Sequence, residues 1–281
     1  VGNPSILTPW ETHQFLKQYA ARWERVGRSR VKIIWPKRVF DGSGLNHLMS
    51  VVMGGQFDID LLRGCRLLEL DLTAIRDTFP GPRYGFPKIR EFLGVPTRPL
   101  VGGIIKPKIG LTPQQMADVC QQMADGGVDF IKEDEILFQQ RFCPFEQRVP
   151  RIAKALEGYH VIYAPCITGD GGEVWKLARK AREMGATAVH CNLWAGLGAY
   201  RDLRRHVELP LFFQKSGDRA FTTGPYSVDY SVICQLAHLS GCDFSHVGMY
   251  GGYLAETVGD IRCRMSALQT TIPSFSCGMT P

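Results

Sequence analysis

Val128-Asp129-Phe130-Ile131-Lys132-Glu133-Asp134-Glu135 sets one lysine and three carboxylates directly after an apolar run. A short apolar run of this kind reads as a buried parallel strand. In parallel α/β folds the reactive groups gather beyond the carboxyl ends of the strands, where Lys132 to Glu135 stand. Oxygen-rich clusters suit a hard cation such as magnesium. A solvated, charged turn after a strand is the plainer reading, and this segment alone leaves both open.

A second run, Leu100-Val101-Gly102-Gly103-Ile104-Ile105-Lys106-Pro107-Lys108-Ile109-Gly110-Leu111, also ends in charge. Lys106 and Lys108 alternate with Pro107 and share a face in an extended chain. Pro107 removes a backbone donor and stiffens the turn. Thr112 and Pro113 form a helix start, with Thr112 as cap and Pro113 at the first helical position. The helix is expected to run to about Asp125, where Gly126-Gly127 stops it. Strand, helix and strand over 100–132 make one βαβ unit with charge at both strand ends.

From Leu100 the pattern keeps alternating. Strands are expected at 101–106, 128–132, 160–165, 187–192, 209–214, 243–247 and 272–276. Helices are expected near 113–125, 146–157, 172–184, 197–206, 227–240 and 257–268. Seven such strands indicate an α/β barrel, with a doubly wound open sheet as the alternative that periodicity does not separate. Residues 1–98 read as part of an α+β sheet domain, and 99–281 as part of the barrel domain. In the first region a helix is expected near 11–21, strands at 30–35 and 65–71, and helices near 45–52 and 87–93.

Composition bounds the function. The 281 residues are 44% hydrophobic and 21% charged, ordinary for a globular enzyme. No apolar stretch is long enough to span a membrane and no signal peptide opens the sequence. Nine cysteines without a C-x-x-C pair favour reduced, packed thiols and a cytoplasmic setting over a disulfide framework or zinc site. Net charge is +6, and seven Lys/Arg fall between Arg22 and Arg38. Val31, Ile33 and Ile34 are interleaved there as in an exposed strand, so no nucleic-acid partner is expected. The surplus charge at most assists a small anionic substrate. The missing initial Met and the end at Thr280-Pro281 lead us to expect a fragment of a longer chain.

The two lysine motifs together resemble the large-subunit family of ribulose-bisphosphate carboxylase/oxygenase. Gly81-Pro82-Arg83-Tyr84-Gly85-Phe86 and Arg98-Pro99-Leu100 are similar as well, as are His246-Val247-Gly248 and Phe275-Ser276-Cys277-Gly278-Met279. The resemblance covers nearly the whole chain and is clearest from about residue 66. It implies an α/β fold with an eight-stranded (β/α)8 TIM-type barrel, incomplete here with about seven strands, after part of an α+β sheet domain. It also implies a homodimer in which one subunit's sheet domain covers the other's barrel mouth.

The resemblance further implies roles. Lys132 would take up carbon dioxide as a carbamate and, with Asp134 and Glu135, bind Mg2+. Glu133, where the family commonly has Asp, would not be a direct ligand. Lys106 would move a proton next to the substrate carbonyl, which requires burial or nearby positive charge to lower its pKa. Lys108 would help to bind substrate or serve as an ion-pair partner. His246 would contact substrate, and Ser276 and Gly278 would bind substrate or phosphate on the seventh-strand turn. Gln214 and Lys215 occupy the substrate-binding positions after the fifth strand.

Departures from the family pattern turn the reading away from carboxylation. Where carboxylases carry His-Arg and a further histidine, this chain has Phe213-Gln214-Lys215-Ser216-Gly217-Asp218-Arg219. Lysine lacks the bidentate fork of arginine. Tyr253 in Gly251-Gly252-Tyr253-Leu254 stands where a loop lysine holds the incoming carbon dioxide, and Gly55 falls near the position of the sheet domain's asparagine. The pattern is that of the carboxylase-like (form IV) branch. The expected activity is a magnesium-dependent decarboxylation of a 3-oxo sugar acid of the 3-oxo-isoapionate type through an enediolate. An enolase or isomerase of a methylthio-ketopentose phosphate is the alternative enzyme, and a catalytically silent structural or regulatory paralogue is the alternative of another class.

Overall fold

The computed structural model describes residues 8–41, 44–249, 256–271 and 276–280, the last of these by backbone alone. Seven parallel strands carry the carboxyl-terminal region: Gly102–Ile104, Phe130–Lys132, Ile162–Ala164, Val189–Asn192, Leu211–Gln214, Phe244–Met249 and Ser276–Thr280. The first three form one sheet and the last four another, and a parallel bridge between Cys166 and His190 joins them. The spatial order follows the sequence order throughout. A doubly wound sheet reverses its order at a switch point, so the monotonic order identifies the barrel winding and settles the alternative left open by periodicity.

Register explains which residues face inward. Gly102 pairs with Phe130 and Phe130 with Ile162; Ile104 pairs with Lys132 and Lys132 with Ala164. His190 pairs with Phe212, Phe212 with Phe244, and Phe244 with Ser276. Asn192 lies beside Gln214 and His246 beside Gly278. Side chains alternate along a strand, so the even-numbered residues share one face. Ile162, Ala164, Ala188, Phe212 and Phe244 on that face form a cluster closed at one end by Ile89, Leu93 and Val95. The helix Gly85–Leu93 thus covers the end at which the strands begin.

The odd-numbered residues form the outer layer. Ile131, Tyr163, Val189, Cys191, Leu211 and Phe213 join a larger core with Met116, Cys120, Val149, Ile152, Leu177, Ala181 and Leu236 from the surrounding helices. Each buried Val, Leu, Ile or Phe contributes about 1.5–3 kcal/mol. The helix Pro113–Asp125 begins as its sequence predicts: Thr112 Oγ1 accepts from Gln115 N, and Gln115 Oε1 accepts from Thr112 N at 2.9 Å. Gly127, at φ +82°, takes the left-handed conformation that follows this helix.

The amino-terminal region differs from expectation in places. The strand foreseen at 30–35 is Val31–Ile34, and Arg22–Arg25 folds back on it as an antiparallel partner. The strand foreseen at 65–71 is only Cys65–Leu67, and it pairs in parallel with Tyr226–Val228. That partner displaces the start of the helix foreseen at 227–240, which is Tyr230–Leu239. The seventh barrel strand starts at Ser276, and residues 272–275, foreseen as strand, lie outside the described residues. The seven cysteines whose side chains are described are all free. No helix among the described residues is long and apolar enough to cross a membrane.

Candidate active site

The inward register delivers Lys132, His190, Gln214 and His246 to one interior, above the apolar plug, and buried Asp134 follows two residues after Lys132. Lys132 ends the second strand and is 1% exposed. Its Nζ donates to the Glu133 carbonyl at 3.0 Å, lies 3.7 Å from Glu135 Oε2, and sits 5.9 Å from the centre of the Phe212 ring. Burial pulls the ammonium below its ordinary range; Glu135, Cys166 and Asp134 oppose that pull, and Lys106 adds to it. The neutral amine is the form that can attack an electrophile.

Lys106 follows the first strand and reaches across to Asp134, with Nζ 2.6 Å from Oδ2. Asp134 is buried, whereas the Lys106 side chain is 59% exposed. The burial expected of a lysine base is therefore absent in this state, and its ammonium is held by a carboxylate. Two lysines face two acids, and the four formal charges cancel. A dication entering this balanced set would meet both ammonium groups. Converting Lys132 into an anion reverses the balance and leaves a net double negative charge around the same oxygens, which matches a divalent ion.

The donor set points the same way. Among the described residues no three His, Cys, Asp or Glu side chains converge on a metal position. Asp134 and Glu135 supply two carboxylates, and a carbamate on Lys132 would add a third anionic oxygen donor beside them. Glu133 is not available. It is fully buried, receiving Arg148 Nε at 2.8 Å and Nη2 at 3.0 Å, the Tyr163 hydroxyl at 2.7 Å and Cys166 N at 2.9 Å. Burial opposes the Arg148 charge, but Glu133 outweighs it and holds the guanidinium above its usual range. This ion pair fixes the turn from which Lys132, Asp134 and Glu135 project.

The wall opposite Lys132 carries polar groups set among rings. His246 packs edge-on against Phe212, ring centres 5.0 Å apart, and its imidazole is pushed down to about 3 by burial and by the charges of Lys132 and Lys215. Gln214 donates through Nε2 to the Lys215 carbonyl at 2.7 Å, while its buried Oε1 has no partner. His190 was not foreseen. It is fully buried, neither ring nitrogen has a hydrogen-bond partner, and burial followed by the Lys132 charge drives it well below the ordinary histidine range. Its even-numbered place, in register with Phe212, is the signal that could have found it.

Other expected residues are placed differently. Lys215 has odd parity and turns towards Asp218, Glu256 and the Tyr230 ring, at 3.7, 4.0 and 4.4 Å. Lys108 is exposed, and no ion pair involves it among the described residues. Ser276 and Gly278 lie in register with Phe244 and His246, but only their backbone is described. Tyr253 and its loop lie outside the described residues.

Known proteins resemble this chain in sequence and in fold. The model of the ribulose bisphosphate carboxylase large chain, catalytic domain, matches residues 85–272. A 3-oxo-isoapionate-4-phosphate transcarboxylase/hydrolase of Xanthobacter autotrophicus is 31% identical over 92% of this chain and 66% of its own length. A ribulose bisphosphate carboxylase-like protein of Bordetella bronchiseptica is 34% identical over 83% of this chain and 57% of its own length. A 3-oxo-isoapionate-4-phosphate decarboxylase of Rhizobium rhizogenes is 32% identical over 85% and 64%. The chain thus spans 57 to 66% of the length of these relatives. Among solved structures, octameric ribulose-1,5-bisphosphate carboxylase/oxygenase from Pyrococcus horikoshii superposes with TM-score 0.87 at 26% identity, over 98% of this chain and 71% of that one. A rubisco-like protein from Alicyclobacillus acidocaldarius gives TM-score 0.82 at 26% identity, over 100% and 73%. With these motifs, this register and this span of similarity, the chain belongs to the ribulose bisphosphate carboxylase large-chain family, in its carboxylase-like branch.

Proposed function

We propose that the complete protein is a magnesium-dependent enzyme that decarboxylates a 3-oxo sugar acid of the 3-oxo-isoapionate type. The observation that carries this reading is the charge-balanced quartet of Lys106, Lys132, Asp134 and Glu135, with Lys132 buried at the end of its strand. The curated relatives named for 3-oxo-isoapionate-4-phosphate chemistry, at 31 and 32% identity, support the substrate class.

Lys132 carrying a carbon-dioxide-derived carbamate, together with Asp134 and Glu135, would hold the ion. The ion supplies electrostatic stabilisation to an oxyanion that develops on the substrate. Loss of a carboxylate β to a ketone breaks one C–C bond. Carbon dioxide leaves, and the electron pair stays on the carbon and its neighbouring oxygen as an enediolate. Lys106, an ammonium at the exposed mouth, then returns a proton to that carbon. The unpartnered Gln214 Oε1 accepts a substrate hydroxyl, and His246 forms the adjoining wall. Ser276 and Gly278 receive the far, anionic end of the substrate. Lys215 and Lys108 add positive potential at longer range.

The test uses full-length protein with bicarbonate and Mg2+, supplied with 3-oxo-isoapionate and its 4-phosphate. Carbon dioxide release that is lost in Lys132→Ala supports the reading. Isomerised methylthio-ketopentose phosphate without gas release would assign the alternative enzyme class. No activity and no change on Lys132→Ala would assign a structural or regulatory role. Solved relatives include dimeric and octameric proteins. A homodimer is accordingly the expected assembly, to be read by light scattering on the full-length chain.

A further inference from the structure

We propose that His190 is the hydrogen-bond donor that holds the carbon-dioxide-modified Lys132, a positioning role that rests on the functional reading above. His190 lies on the fourth strand, joined to the third through its bridge with Cys166 and to the fifth through its register with Phe212. Phe212 is the common neighbour: Lys132 Nζ is 5.9 Å from its ring centre and the His246 ring 5.0 Å. The His190 ring and the Lys132 amine therefore share the same enclosed interior.

Both nitrogens of this fully buried ring lack a partner. The Glu133 backbone is near enough to favour the protonated ring slightly, against burial, but no hydrogen bond of normal geometry reaches either nitrogen. Buried polar groups are nearly always satisfied, and an exception calls for a missing partner. The unmodified Lys132 does not supply it: its Nζ donates to the Glu133 carbonyl at 3.0 Å and makes no hydrogen bond to either ring nitrogen. Reaction with carbon dioxide changes this. The nitrogen lone pair forms an N–C bond, one proton leaves to water, and two acceptor oxygens appear beyond Nζ. Either protonation state of imidazole carries an N–H donor for them. The hydrogen bond fixes the carbamate plane while its other oxygen remains free to face Asp134 and Glu135. A second group that orients the ligand is the usual companion of such sites.

The test reads carbamate rather than turnover. Full-length protein is titrated with 13C-labelled bicarbonate, and the label on Lys132 is followed by 13C NMR and by trapping and peptide mass spectrometry. His190→Met, which lacks a donor, is compared with His190→Gln, which keeps one. The Met variant is expected to need about tenfold more carbon dioxide for half-labelling, and the Gln variant to recover most of the loss. In wild-type protein labelled in histidine, one His190 N–H proton is expected to move downfield on adding carbon dioxide. An unmoved His190 resonance alongside a labelled Lys132 would overturn the proposal while leaving the functional reading intact. Equal carbon dioxide requirements in the two variants would do the same. No label on wild-type Lys132 would overturn both.

Discussion

Replacing Arg148 by methionine keeps most of the side chain's volume and removes its charge. The guanidinium is fully buried and makes four bonds: two to Glu133, one to the Phe138 carbonyl at 2.7 Å and one to the Cys143 carbonyl at 2.9 Å. The substitution leaves the Glu133 carboxylate in the interior without a counter-charge, supported by the Tyr163 hydroxyl and Cys166 N. Breaking one side of a buried pair costs about 3–5 kcal/mol. At about 2–4 °C per kcal/mol for a chain near this size, the thermal midpoint should fall by roughly 10 °C. Urea unfolding followed by circular dichroism measures the loss. Glu133→Gln removes the stranded charge, so the double variant should recover at least about 1 kcal/mol relative to the sum of the single changes. A loss below about 1 kcal/mol in Arg148→Met, or strict additivity, would refute the view that this pair anchors the Lys132–Glu135 turn.

Lys132→Met should abolish carbon dioxide labelling and magnesium-dependent turnover while the melting midpoint holds or rises, because it removes an amine that burial already disfavours; retained turnover would contradict the proposed chemistry. Acid should weaken the fold from about pH 6.5 downwards, with His238 as one cause. Burial sets its folded pKa at about 3, against about 6.5 in an unfolded chain, so below pH 6.5 the unfolded state binds a proton that the folded state refuses. The effect is absent above pH 6.5, grows towards pH 3 at up to about 1.4 kcal/mol per pH unit, and should shrink by one proton's share in His238→Gln, read from urea midpoints between pH 4 and 8. Gly241→Ala should cost about 1–3 kcal/mol, since φ is +118° and an added Cβ would meet Arg204 Cβ at 2.9 Å; an unchanged melting temperature would contradict that.

What could be read from the sequence followed from local physics. Apolar runs ending in charge marked the first two barrel strands, and Thr112-Pro113 with Gly126-Gly127 bracketed the helix between them. The same two strand ends bring Lys106 to Asp134 and Lys132 to Glu135. Long-range pairing was hidden. Nothing near Cys65 announces that its partner is Tyr226. Arg148 looks like one of several basic residues on an amphipathic helix, and only the folded packing shows that it neutralises Glu133. Parity was the unused clue. Counting in twos from Lys132 through the strand register selects His190 and Gln214 as inward and turns Lys215 outward.

The most direct measurement is a crystal structure of the full-length protein grown with bicarbonate and Mn2+, with the ion located by its anomalous signal. The account predicts extra density on Lys132 Nζ, the ion bound by that group with Asp134 and Glu135, and Lys106 released from Asp134. An unmodified Lys132, an intact Lys106–Asp134 pair and an ion bound elsewhere would contradict it.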